Sequence, residues 1–596
     1  MLPFMTQPTV APACYVPKGD MAQSQIFGEG QYLTRTPAIS GNTRKWSWAG
    51  WIAPLPNGAF QTLLSASVNA NNFAHFLINP AGHLVWYERY ANTTYWGWST
   101  KAAYRDFAPF HVVLEYDTAA ATPVADRLRI FVNGVRAAVD NTYGRAYGDD
   151  WDGIVNSAVE HRIGRNVASY SDYFSGLMAS AAMVSGATPG PAAWGEHNIH
   201  GVWVPKPKSE SHAAIVAAGG WGVNGFHLDF SDPLNPGKDV SGKGNHWAAV
   251  GFDGTGKDTV VSTPSNRYAT LCPLQPGGAG FARDGAYSDG NLRVTAQHTV
   301  ANASGIADLP ISTTVPTYYT AKAGVFPTLA RVGLIKAGAS PYMYANAATL
   351  YYDGSGQKSV FGVNSAYGAA WTIQEIGVLC DPVAQNVTFY RDGISQGAIS
   401  APQVFAGGWY PALWTDDVNS PAVSLNFGQR PWGFAPPAGT KGVCTDALAE
   451  PDIKDPAEGL ALATATGADI VAVLDAACAH WNGQWIEFIK RRDASEDWRV
   501  RFSDDPGNSW ATSTTTAKGP VAALAAGGAY VGYRLRVGAR YGVYTAEVVH
   551  ATGTATTVSH GLNAVRNVVI ATRVSVGGGS RYLRHPDMDA GNTKAQ

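Results

Sequence analysis

The chain has 596 residues, of which 15% are charged and 11% aromatic, with 66 Gly and 35 Pro spread along its length and a formal net charge of -2. Cores stop growing at ~250–300 residues, so several modules are expected, and this Gly, Pro and charge content is the profile of an all-β protein rich in turns. No basic cluster extends beyond Lys490-Arg491-Arg492, which excludes a phosphate-binding stripe and nucleic acid as partner, and no run reaches the ~18–20 apolar residues of a membrane span, so no membrane insertion is expected.

Met1 to Asp20 carries Pro3, Pro8, Pro12 and Pro17, which rule out a regular helix or central strand. It reads as an extended arm, either a free leader or a tether to a larger assembly. It has no basic segment followed by an apolar stretch, so no export signal is expected. Cys14, Cys272, Cys380, Cys444 and Cys478 are odd in number and lack any CxxC or Cys/His metal spacing. They are expected to be buried small hydrophobes without disulfides, which suits assembly in a reducing cytoplasm.

From Ser24 onward, short apolar-polar alternations recur between turn signals, the pattern of a β-sandwich. Trp46-Ser-Trp48-Ala-Gly-Trp51-Ile52 alternates with period two, and Phe76-Leu-Ile78 before Pro80-Ala-Gly82 reads as strand then turn. His111 to Asp117 and Arg127 to Val132 are strands, the latter running into an Asn133-Gly134 hairpin turn. Phe27-Gly-Glu-Gly-Gln-Tyr-Leu33, Trp51-Ile-Ala-Pro54, Phe110 to Asp117, Phe131-Val-Asn-Gly-Val135, Ile163-Gly164 and Tyr173 to Ala179 occur in an order that resembles laminin G-like, concanavalin A-like jelly rolls. The resemblance covers residues 21–207 and implies a two-sheet sandwich. Phe110 stands where that family commonly has Trp.

Residues 208–257 read as a connector. Trp194-Gly-Glu196, Gly201 to Pro207, Phe226 to Pro233 and Asp239 to Trp247 resemble a connecting segment of bacteriophage tail and other virion proteins. Residues 258–445 form a further module. Ile376 to Asp381, Asn386 to Gly397, Trp409 to Leu413 and Val423 to Gly428 resemble the paired strands of SPRY domains, with Asp392-Gly393 as a hairpin turn and only a loose match from Asp258 to Ala323. The resemblance implies binding of proteins or other ligands. Acidic, Pro-containing residues 446–467 read as a linker. Residues 468–596 read as mainly β, with Arg and Glu facing outward between apolar residues and the chain's one helix at Asp469 to Trp481, where Ile470, Val471, Leu474, Ala477 and Cys478 fall near helical spacing. The expected fold class is all-β: serial jelly-roll sandwiches and a mixed, mainly β C-terminal region.

Candidate chemistry is sparse. No E-x-D-x-E strand, G-x-S-x-G, H-E-x-x-H or phosphate loop occurs, and Glu115-Tyr-Asp117 is the nearest acid pair, in a strand motif the family uses structurally. His197 and His200 read as a surface or loop pair. Trp86, Tyr87, Tyr90, Tyr95, Trp96 and Trp98 put more aromatics into one hairpin than an inward face accommodates. They are candidates for sugar stacking, with core or subunit interface as the alternative. Some laminin G-like modules hold calcium at the rim through Asp and Asn oxygens. Asp149, Asp150 and Asp152 are the candidate calcium ligands here, with a solvated loop as the alternative, and Asp416-Asp417 and Asp504-Asp505 are weaker ones. No other cofactor is expected.

Together these resemblances imply a non-enzymatic virion surface protein, tail-fibre-like or spike-like, made in the host cytoplasm. Its expected partners are other virion proteins through the arm, copies of itself (a trimer by analogy with fibres), and a host-surface glycan or protein. A head-decorating or baseplate protein without receptor role, and a polysaccharide depolymerase, are the alternatives.

Overall fold

The computed structural model describes residues 21–55, 58–92, 94–104, 108–142, 144–168, 172–198, 202–272, 285–296, 303–323, 330–339, 346–415, 422–449, 458–494, 499–503, 505–511, 519–520, 523–537, 569–571 and 582–584. The arm of Met1 to Asp20 with Cys14, as well as His200, Asp416, Asp417 and Asp504, lies outside them. The chain divides into two compact units, residues 1–449 and 450–596.

The first unit begins with a sandwich built from β1 (Ser24–Phe27), β2 (Tyr32–Arg35), β3 (Lys45–Pro54), β4 (Gln61–Asn69), β5 (Asn72–Ile78), β6 (Leu84–Tyr90), β7 (Thr94–Thr100) and β8 (Phe110–Asp117). It continues with β9 (Leu128–Val132), β10 (Val135–Arg136), β11 (Val139–Asn141), β12 (Glu160–Ile163), β13 (Gly176–Ser185), β14 (Gly195–His197), β15 (Trp203–Pro205), helix α1 (Lys208–Ala217), β16 (Phe226–Leu228), β17 (Ala248–Val250) and β18 (Thr259–Val260). One sheet, here the β3 sheet, runs β10-β9-β8-β3-β13-β1-β18, with β16 also on β13. The other, the β6 sheet, runs β11-β7-β6-β5-β4-β12-β2-β17. Between them Trp46, Trp48, Phe76, Trp86 and Tyr116 are fully buried, with Trp46 stacked on Tyr116 at 5.2 Å. The hairpin turn at Asn133-Gly134 has φ of 47° and 80°, which both central positions of this tight turn require, and Val132 pairs with Val135 across it.

The stretch 208–257 is not a free-standing connector. Phe226 pairs with Met183 of β13, and Ala249 pairs with Leu33 of β2, so this stretch adds strands to both sheets. Phe226 and Leu228 are 0% exposed, and Trp247 packs edge-on against Phe226 at 4.9 Å. Apolar side chains of this size do not remain in a linker. Helix α1, which periodicity did not reveal, lies over the outer face of the β3 sheet. It buries only Ser211 and Ile215, one turn apart, too narrow a stripe to stand out in sequence. Ile215 joins Trp194 and Trp221 on Ala49, Val113, Ala182 and Val184.

The second sandwich follows. One sheet orders Gly285–Ser288, Arg293–Ala296, Val423–Asn426, Thr317–Ala323, Ile376–Asp381, Asn386–Arg391 and Ile394–Ser400. The other orders Ala303–Ile306, Trp409–Thr415, Arg331–Lys336, Thr349–Asp353, Gln357–Val360 and Val363–Ala366. Tyr352, Trp371, Val378, Phe389, Trp409 and Phe427 fill its core, which Ile26 and Val260 of the first sandwich also enter. Asp392-Gly393 makes the expected turn, with φ of 49° and 78°.

In the second unit, the main sheet orders Leu460–Thr466, Ala529–Arg536, Trp485–Arg491, Arg499–Phe502, Asp505–Ala511 and Gly519–Pro520. Helix α2 (Ile470–Ala477), within the stretch expected to be helical, buries Ile470 and Leu474 against Ala461, Ala463 and Ile489. Two expectations need correction. The second half of the proposed linker 446–467 is a sheet strand, because Ala461 and Ala463 alternate toward the helix. Glu487 and Arg534 do not face outward; both are 2% exposed, and Glu487 accepts two bonds from Arg501 (2.8 and 2.9 Å) and one from Arg534 at 2.8 Å, so neither charge is buried alone.

If residues 208–257 belong to the first core, Phe226→Ala is expected to destabilise this sandwich by about 3–5 kcal/mol, read from denaturant unfolding. A change near zero would restore the connector.

Candidate functional site

Register decides which hairpin aromatics reach solvent. In β6 and β7, Trp86 pairs with Trp98, Glu88 with Trp96, Tyr87 with Gly97, and Arg89 with Tyr95. Because side chains alternate, Trp86, Glu88, Trp96 and Trp98 share the inner face, whereas Tyr87, Arg89 and Tyr95 share the outer one. Trp86 and Trp96 are 1% and 5% exposed. Trp98 stacks on Tyr147 at 5.2 Å, and Trp86 donates its Nε1–H to the Tyr147 hydroxyl at 2.8 Å. Trp86 and Trp96 are therefore core residues and leave the sugar-stacking set, and Trp98 packs half-buried against the same core. Tyr90 lies at the exposed end of the hairpin, edge-on to Trp151 at 5.4 Å.

The outer face keeps Tyr87 and Tyr95 and adds residues that sequence reasoning missed. Phe73 of β5 pairs with Arg89, and His75 pairs with Tyr87. The Phe73 and Tyr87 rings lie 5.7 Å apart, Tyr87 and Tyr95 6.1 Å, and His75 and Tyr87 5.1 Å. The Arg89 guanidinium sits 5.8 Å from the Phe73 ring and 5.5 Å from the Tyr95 ring, a bridge between the two. All four of Phe73, Tyr87, Arg89 and Tyr95 are half-exposed. The alternation of Phe73 and His75 within β5 was the signal available in the sequence.

A turn over β4 and β5 divides this face. Asn166 contacts His75 Nδ1 at 3.0 Å and donates to Asp172 at 3.1 Å, while the Ser65 hydroxyl donates to the Arg165 carbonyl at 2.8 Å. Desolvation beneath this turn lowers His75 to about 4. Beyond the turn, Arg162 and Arg165 stand 5.0 and 4.9 Å from the Tyr32 ring, and Arg165 is 5.0 Å from Tyr173. Glu160 is engaged by Arg162 at 2.8 Å and Thr34 at 3.0 Å.

The loop after β11 seals the inner side. Its Tyr147 donates to Glu88, and the Ile154 N–H donates to the same carboxyl at 3.0 Å. Burial pushes Glu88 up to about 7, against these hydrogen bonds. The candidate calcium ligands sit on this loop but are held by arginines. Arg127 pairs with Asp149; Arg44 contacts Asp152 twice at 2.9 Å and Asp150 at 3.6 Å; and Thr43 donates to Asp152 at 2.8 Å. Two guanidinium groups already engage the three acids. Among the described residues no group of three or more His, Cys, Asp or Glu is arranged to hold a metal ion. Glu115 pairs with Arg129 at 2.8 Å, and Asp117 pairs with Lys45 at 2.8 Å, each in its own ion pair. His197 packs edge-on against Trp203 at 5.0 Å.

No protein-family model and no curated protein matches the sequence. Solved β-sandwiches are similar to parts of it. A human SPRY domain shares 14% identity over 25% of this chain and 98% of its own, with a TM-score of 0.21. A heptameric SAP-like pentraxin from Limulus polyphemus shares 12% over 28% of this chain and 76% of its own, with a TM-score of 0.21. The CBM40 of a Ruminococcus gnavus IT-sialidase, bound to α2,3 sialyllactose, shares 17% over 28% of this chain and 91% of its own, again with a TM-score of 0.21.

Glu88 and the buried histidines make the first sandwich respond to pH in opposite senses. The folded chain holds the Glu88 proton from pH 4.5 to about 7 while the unfolded chain has lost it, so its contribution falls as pH rises through that window. His75 and His161, both lowered to about 4, bind protons only in the unfolded chain between pH 6.5 and about 4, so stability is lost as pH falls there. Glu88→Gln is expected to gain up to roughly 3 kcal/mol at pH 8 relative to its change at pH 4.5, measured as unfolding free energy across pH. An equal change at both pH values would place the Glu88 titration elsewhere.

Proposed function

We propose that the chain is a non-enzymatic binding protein whose first sandwich takes up a glycan on the outer face formed by Phe73, Tyr87, Arg89 and Tyr95. One observation carries this reading. A half-exposed patch of three rings bridged by a guanidinium lies on a sheet whose opposite face is already core, so packing within this sandwich does not account for it. Rigid ring faces suit the C–H surfaces of a sugar, while the tyrosine hydroxyls and the guanidinium suit its oxygens.

In this reading the protein stands on the surface of a bacteriophage particle as a tail-fibre-like or spike-like adhesin, assembled in the host cytoplasm and self-associating. The stretch from Trp194 to Trp247, with its resemblance to virion connecting segments, supports the particle assignment. Residues 1–20 are the tether to other virion proteins, and the host-surface glycan is the attachment partner.

On a glycan array, Tyr87→Ala and Tyr95→Ala are each expected to weaken the strongest signal about tenfold without lowering the melting temperature. Undiminished binding in both variants removes the glycan from this face. A chain lacking residues 1–20 is expected to keep its glycan signal and to be lost from purified particles; normal incorporation would end the tether's role.

A further inference from the structure

On the outer face of the β6 sheet, Arg89 is a half-exposed cation without a carboxylate. Among the described residues no acid lies within ion-pair distance of it, and the one hydrogen bond of its guanidinium, from Nη1 to the Ala70 carbonyl, is long at 3.4 Å. Elsewhere in this sandwich Arg44, Arg127, Arg129, Arg136 and Arg162 each pair with an Asp or Glu.

The acids of the same sheet stand apart from Arg89 and are already engaged. Glu160 is in line with it through Ser67 and Phe73 but three strands away, about 14 Å at the usual strand spacing, and is held by Arg162 and Thr34. Asp140 is in line with Val85 through Ser99, four residues further along the strand at about 13 Å, and pairs with Lys101 at 3.1 Å. Asp172 accepts from Asn166 at 3.1 Å in the turn that divides the face. Glu88 turns to the inner side, where Tyr147 and Ile154 meet its carboxyl. The two turns beside Arg89, Asn69 to Asn72 and Ala91 to Asn92, hold only neutral residues and meet where the Asn92 N–H donates to the Asn71 carbonyl at 3.2 Å.

The guanidinium is also held in place. The Phe73 and Tyr95 rings stand 5.8 and 5.5 Å from it and limit its swing, so little rotamer freedom remains to be lost on binding. A neutral sugar makes no use of the charge, because hydroxyls and amides serve its oxygens as well. A carboxylate does, since its two oxygens match the planar guanidinium fork. We propose that the glycan taken up here is acidic: a sugar carrying a carboxylate, such as a uronic acid, whose carboxylate Arg89 receives while Phe73, Tyr87 and Tyr95 take its C–H faces. This names the ligand class of the aromatic face and rests on the glycan reading.

The test is an array on which carboxylate-bearing oligosaccharides are printed beside their carboxyl-reduced forms, in which each carboxylate has become a hydroxymethyl group, together with neutral and sulfated oligosaccharides. The full chain is expected to give its strongest signals on the carboxylate sugars, and reduction is expected to weaken them about tenfold. Arg89→Met, which removes the charge, is expected to level the two members of each pair. Equal binding of both members by the unaltered chain would overturn the acid assignment and leave the glycan reading standing. Signals confined to sulfated sugars would do the same. An array without any signal would remove both readings. Should Arg89→Met lose its fold, the paired comparison on the unaltered chain decides alone.

Discussion

The first sandwich is organised by one constraint: its β3 sheet is buried on both faces. β8 is buried at every position, and β3 and β13 at nearly every one. Small residues such as Ala49 and Ala182 on the outer side bring the backbone close to whatever covers it, and a sheet of this kind cannot stand against water. The chain therefore folds back, laying Trp194, Ile215 and Trp221 over Val113 and Val184. The strands that follow, from Phe226 to Val260, then complete both sheets.

The β6 sheet obeys the opposite rule, and that contrast positions the candidate site. With one face in the core and one toward solvent, its alternation sorts the aromatics by chemistry. The tryptophans of β6 and β7 go inward, where Trp86 finds the Tyr147 hydroxyl, and Tyr87 and Tyr95 go outward, where the Tyr95 hydroxyl donates to the Asn92 carbonyl at 2.9 Å. Arg89 sets its guanidinium between two rings on that outer side.

Glu88 shows how far packing can override a local rule. Its carboxyl lies on the tryptophan side of β6, a place where an ionised group would be expelled. The Tyr147 hydroxyl and the Ile154 amide meet its oxygens, and burial favours its neutral form. The loop that supplies both donors also carries Asp149, Asp150 and Asp152, whose carboxylates Arg44 and Arg127 hold against the sandwich. An acidic sequence thereby becomes a structural seal.

The local features were legible in the sequence because they depend on neighbours in the chain. Asn133-Gly134 and Asp392-Gly393 specify tight turns through the left-handed backbone they tolerate, and the spacing of Ile470 and Leu474 specifies a helix face. Period-two alternation established that one face of the β6-β7 hairpin must point away from the core. Which face that is depended on Tyr147 and Ile154, more than fifty residues away from β6, and on Phe73 across the sheet. Ion pairs such as Arg44 with Asp152 and Glu487 with Arg534 join residues far apart in sequence, so only the folded chain turned candidate metal ligands into a surface ion pair and expected outward charges into a buried one. The cover over the β3 sheet belongs to the same class. Its residues read as a connector one by one, and only the apolar face they meet makes them part of a core.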